Sequence, residues 1–143
     1  MRLLFVRSEG LASLGIRRFE GGESSHVGIA LDDNTVIDAT MKYGVTNRSF
    51  SSFMDNRTLV DDITFPLTNE TNAINFAKSM IGATYDWTAL VGFVGWRDLS
   101  RDDRWYCSEL AAASMAAGGY QLADRTKRIT VRLVREIAKA LCS

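Results

Sequence analysis

The chain has 143 residues, 46% of them hydrophobic and 24% charged, with seventeen Lys+Arg against seventeen Asp+Glu and a formal charge of zero. Such a composition describes one ordinary globular domain, residues 1–143, long enough to bury a real core. It excludes disordered, collagen-like and coiled-coil classes, and a zero net charge gives no footprint for nucleic acid.

The chain opens on Leu3-Leu4-Phe5-Val6, a buried strand candidate. Four apolar residues are too few for a secretory signal, which needs roughly 7–15, or a membrane helix, which needs about 20. Synthesis in the cytoplasm without a transmembrane segment is the expectation. Leu11–Phe19 reads as a short helix or turn, followed by the glycine-rich loop at residues 20–25. His26–Leu31 alternates in the period of a half-buried strand, Asp32-Asp33-Asn34 supplies turn chemistry, and Thr35–Ala39 returns as the second strand of a hairpin. Tyr43–Thr46 and Thr58–Phe65 are further strand candidates.

Helices dominate the second half. Thr68 or Asn69 caps one running to about Ile81, with Gly82 at its end, and Thr88–Gly95 suggests a short second one. The charged stretch Arg97–Arg104 reads as a solvated loop. Cys107–Ala117 forms an alanine-rich helix closed by Gly118-Gly119, and Thr130 caps Val131–Leu141. The fold class is α+β.

Cys107 falls at the start of its helix, where unpaired N–H groups and the helix dipole stabilise a thiolate and a developing oxyanion. Cysteine is also a small buried hydrophobe, and residue type alone leaves both readings open. A cysteine nucleophile needs an imidazole partner, and His26 is the only histidine. Asp38, on the return strand, orients that ring only if both side chains share a face. A three-residue loop at Asp32–Asn34 pairs Leu31 with Thr35, a residue-number sum of 66, and makes His26 and Asp38 diagonal neighbours. A two-residue loop would put them on opposite faces. The two cysteines, Cys107 and Cys142, form neither a disulfide framework nor a metal knuckle, so no metal or cofactor is expected.

The order Ser25-His26-Val27-Gly28-Ile29, Val36-Ile37-Asp38-Ala39, Gly44-Val45, Gly82-Ala83-Thr84-Tyr85-Asp86 and Trp105-Tyr106-Cys107-Ser108-Glu109-Leu110 resembles the circularly permuted, YiiX-like branch of the NlpC/P60 superfamily. The resemblance covers roughly residues 25–110. It implies a papain-like fold in which an antiparallel sheet packs against a cysteine-bearing helix. It also implies Cys107 as nucleophile, His26 as base and Asp38 as the third polar residue. That last position is often glutamate or histidine in relatives. Tyr85 matches an aromatic position beside the cleft, and Ser25 and Ser108 are placed to line the substrate or oxyanion site.

The activity so implied is that of a cysteine amidase or endopeptidase acting through a thioester, with cell-wall peptides (peptidoglycan) as substrate. A phage or prophage origin would deliver it to the wall, in a virion or at lysis, with phage structural proteins as partners. Two alternatives stand beside it. One is a lipid acyl thioesterase or acyltransferase using the same site, with Trp87, Leu90, Phe93 and Trp96 lining an acyl groove. The other is a non-enzymatic virion or interaction scaffold.

Overall fold

The structure is a computed structural model that describes residues 1–9, 23–40, 42–83, 106–120 and 129–143. Five strands, β1 (Arg2–Ser8), β2 (His26–Ala30), β3 (Thr35–Thr40), β4 (Gly44–Ser49) and β5 (Arg57–Thr64), form one sheet in the order β4-β3-β2-β1-β5. Every pairing is antiparallel. Four helices accompany them among the described residues: α1 (Phe50–Met54), α2 (Glu70–Ser79), α3 (Tyr106–Ala117) and α4 (Val131–Cys142).

The two faces of the sheet are covered unequally. Leu3, Phe5, Val27, Ile29, Ile37, Ala39, Val45 and Ile63 pack with apolar residues of α2, α3 and α4 to form the main core. On the opposite face Leu4, Val6, Ala30 and Val36 gather round a single aromatic plug, Phe53 of α1. Coverage on both sides explains why β1 reads as an unbroken apolar run rather than an alternation.

Several expected elements are found close to their expected bounds. The hairpin loop is Asp32–Asn34, with Leu31 N–H donating to the Thr35 carbonyl at 2.8 Å and Asn34 at φ 64°. Asparagine tolerates that left-handed conformation, which ends a three-residue loop. Ile29 therefore faces Ile37 and Ala30 faces Val36, both summing to 66. Asn69 rather than Thr68 caps α2, its side chain accepting from Asn72 N–H at 3.0 Å. Thr130 caps α4 by accepting from Leu133 N–H at 3.0 Å. The expected helices at Leu11–Phe19 and Thr88–Gly95 lie outside the described residues.

Two features were not anticipated. The five-residue α1 starts at Ser49, whose hydroxyl accepts from Ser52 N–H at 3.2 Å. The β1–β5 ladder slips by one residue between Phe5 and Val6, which face Asp61 and Leu59. Such a bulge exchanges the faces of all that follows. It sets Arg57 opposite Ser8, on the face that also carries His26, the partner of Val6. No helix among the described residues is long and apolar enough to cross a membrane.

Candidate active site

Register decides which side chains meet. Asp38 faces Thr46, and Arg48 faces Val36, so Asp38, Thr46 and Arg48 point to one side of the sheet together with His26 and Arg57. Asp38 is fully buried there, and His26 Nε2 lies 2.7 Å from its Oδ2. Arg48 Nε lies 3.0 Å from Oδ1, Thr46 Oγ1 donates to the same oxygen at 3.5 Å, and Arg57 Nη1 stands 3.6 Å from Oδ2.

Cys107, buried in the first turn of α3, stands near enough to His26 for the two groups to act on one another electrostatically. Since Nε2 is committed to Asp38, Nδ1 is the nitrogen left to face the thiol. Helix α3 packs against β2 and β3, the two strands that carry His26 and Asp38. It is tied down at both ends. Ser108 Oγ donates to the Ile129 carbonyl at 3.0 Å, and the Gly118 carbonyl accepts from Asn69 N–H at 2.9 Å. A Cβ at Gly118 would come within 2.7 Å of Leu67 Cδ1, so glycine permits this close crossing.

The charges reinforce one another. Burial by itself would lower the His26 pKa, but negative charge on Cys107, the Asp38 hydrogen bond, the Cys107 hydrogen bond and the Asp38 charge lift it from 6.5 to about 9. The ring thus carries a proton at neutral pH. Burial pushes Asp38 upward, yet its bond to His26 and the charges of His26, Arg48 and Arg57 hold it below the ordinary carboxylate value.

Phe53 organises this side of the sheet. Its ring centroid stands 5.8 Å from that of His26, and the Arg57 guanidinium lies over it at 5.0 Å. A Cβ on Gly28 would fall 2.5 Å from Val36 Cγ1 and 2.7 Å from Phe53 Cε2, so the bare backbone of Gly28 is what lets the ring settle beside the histidine.

Of the residues expected from sequence, the structure brings together Cys107, His26 and Asp38. Ser25 is buried beside His26, its N–H donating to the Val6 carbonyl at 2.9 Å. Ser108 is fully buried with its hydroxyl on the Ile129 carbonyl, an anchor for the helix. Tyr85, and the stretch Trp87–Trp96 with it, lies outside the described residues. Sequence reasoning missed Thr46, Arg48, Phe53 and Arg57. The first two were within reach of it, because an even register extended to β4 puts them on the face of Asp38. Among the described residues no three His, Cys, Asp or Glu side chains are arranged to hold a metal ion.

Against this geometry the comparisons are direct. A family model described as "permuted papain-like amidase enzyme, YaeF/YiiX, C92 family" matches residues 3–135. The chain belongs to this family. It is therefore an enzyme of the cysteine hydrolase class, an amidase on a circularly permuted papain-like fold. No curated protein matches it by sequence. The five-stranded antiparallel sheet with a cysteine-bearing helix against it accords with that fold.

Proposed function

We propose that Cys107 is the nucleophile, His26 its proton carrier and Asp38 the group that orients His26, in the hydrolysis of an amide bond in cell-wall peptides. The observation that carries this reading is the 2.7 Å bond between His26 Nε2 and Asp38, on the strand pair against which the helix of Cys107 packs.

The Cys107 thiol gives its proton to His26, and the resulting thiolate attacks the amide carbon, a C–S bond forming as the carbonyl electrons move to oxygen. The backbone N–H of Cys107, in the unpaired first turn of α3, donates to that oxyanion, a contact worth about 3–4 kcal/mol in the transition state. The intermediate collapses with cleavage of the C–N bond, and the His26 imidazolium gives its proton to the departing amine. Water, deprotonated by His26, then opens the thioester and releases the acid. Asp38 holds the imidazole in place throughout.

A bacterial wall peptide is the amide substrate of this reading, and a phage or prophage gene is the setting that brings such an enzyme to the wall at lysis. Purified sacculi digested with the protein test it. New peptide amino groups and shortened muropeptides are expected, and they should vanish with Cys107→Ala and His26→Ala variants that keep the wild-type circular dichroism. Intact sacculi, or cleavage that persists in Cys107→Ala, would overturn the proposal.

A further inference from the structure

The buried carboxylate of Asp38 stands among three cations, His26, Arg48 and Arg57, and their hold on it is unequal. His26 takes Oδ2 at 2.7 Å and Arg48 takes Oδ1 at 3.0 Å. Arg48 is further committed through Nη2, which donates to Thr46 Oγ1 at 3.2 Å. Arg57 reaches Asp38 only at 3.6 Å, beyond a good hydrogen bond. Its one short polar contact is from Nη1 to the Phe53 carbonyl at 2.9 Å, and its guanidinium rests on the Phe53 ring. Nε and Nη2 have no carboxylate partner among the described residues, and the side chain is 18% exposed.

Arg57 is thus a fixed, stacked guanidinium with an edge uncommitted among the described residues, on the same side of the sheet as His26. Burial pushes its pKa down and Arg48 pushes the same way, while Asp38 and Cys107 pull it back up. It lies in the electrostatic field of Cys107 and shares the single Asp38 carboxylate with His26 and Arg48. A guanidinium whose Nε and Nη2 have no carboxylate partner among the described residues suits a planar carboxylate, which it can hold in a bidentate pair.

We propose that Arg57 is a substrate-binding residue that receives a carboxylate carried by the substrate close to the scissile amide, so that the enzyme selects acidic over neutral amides. The proposal rests on the reading of Cys107 as the nucleophile. The bulge in the β1–β5 ladder is what gives Arg57 this place, since an unbroken register would turn it to the opposite face.

A pair of small reagents tests the proposal without knowledge of the natural substrate. Iodoacetate and iodoacetamide both alkylate a thiolate, the S–C bond forming as iodide leaves, and they differ in carrying a carboxylate or a neutral amide. Rates at Cys107 and at the exposed Cys142 are followed by peptide mass on the full chain at constant ionic strength. The iodoacetate-to-iodoacetamide ratio at Cys107 is expected to exceed that at Cys142 about fivefold or more. Arg57→Gln should bring the two ratios close together. Arg57→Lys, which keeps the charge and loses the fork, should fall between them and serves as the probe should Arg57→Gln not fold.

A Cys107 that reacts readily without preferring iodoacetate, or whose preference survives both substitutions, would overturn the carboxylate site and leave the nucleophile standing. A Cys107 inert to both reagents would remove the nucleophile reading, and this proposal with it.

Discussion

Asp38 is the residue on which the electrostatics of the site turn. It is fully buried, and it is the shared counterion of an imidazole and two guanidiniums. Removing one member of a buried ionic cluster costs more than the cluster contributes, because the remaining charges stay desolvated. Asp38→Asn should therefore destabilise the fold by about 3 kcal/mol in urea unfolding. It should also lower the His26 pKa, since the Asp38 hydrogen bond and charge are two of the four influences that raise it. With one histidine in the chain, the ring resonances titrate without ambiguity. The wild-type midpoint is expected near 9, with a fall of about one unit or more in the variant. Combining Asp38→Asn with Arg57→Gln should recover part of the stability without restoring the midpoint. A His26 midpoint that ignores Asp38 would show that their contact does not exist in solution.

At the scale of elements, the β2–β3 hairpin and the α1 plug form one device. Gly28 sits in the middle of β2, and any side chain there collides with Val36 and Phe53. Gly28→Ala should cost about 1–3 kcal/mol through overpacking and displace Phe53 from His26. Adding Val36→Ala and Phe53→Leu, which together trim the atoms that collide, should remove the overpacking part of the loss in a denaturant melt, judged against the Val36→Ala/Phe53→Leu pair on the Gly28 background. An undiminished cost of Gly28→Ala on that background would mean that the backbone of β2, rather than these two side chains, resents the new methyl. The same elements show what the sequence makes legible. Alternation and one histidine named His26 and Asp38 and reduced their relation to a choice between two registers, and the three-residue turn that puts them on one face is seen only in the structure. Arg57 was beyond such reasoning. Its face depends on a slip in the pairing of β1 with β5, segments about 50 residues apart, and no local pattern marks that slip. Helix α1 is hidden for a different reason, since five residues carry too little periodicity to announce a helix. Its stability comes from burying Phe53.

The whole molecule joins a sheet from the first half of the chain to a helix from the second, and the site lies where they meet, so ionisation of the site and stability of the fold are linked. His26 has a pKa of about 9 in the folded protein against 6.5 ordinarily. The folded state therefore binds this proton more tightly, and the resulting stability is full below pH 6.5 and lost as pH rises through 9. Asp38 works in the opposite sense. Its folded pKa is lowered, so its contribution is present above the ordinary carboxylate value, is lost only in acid and is constant across the alkaline window. The stability of wild type relative to His26→Gln should then fall between pH 6.5 and 9. A shift of that size corresponds to up to about 3 kcal/mol. The window overlaps the one in which hydrolysis must decline, because above pH 9 the imidazolium that protonates the leaving amine is gone. Urea midpoints and amide turnover measured on the same samples separate two cases. If both fall together near pH 9, one proton on His26 serves fold and catalysis alike. If turnover falls near pH 6.5 while the relative stability stays flat, the ring is neutral in the folded enzyme, and the Asp38 carboxylate is balanced by Arg48 and Arg57 alone.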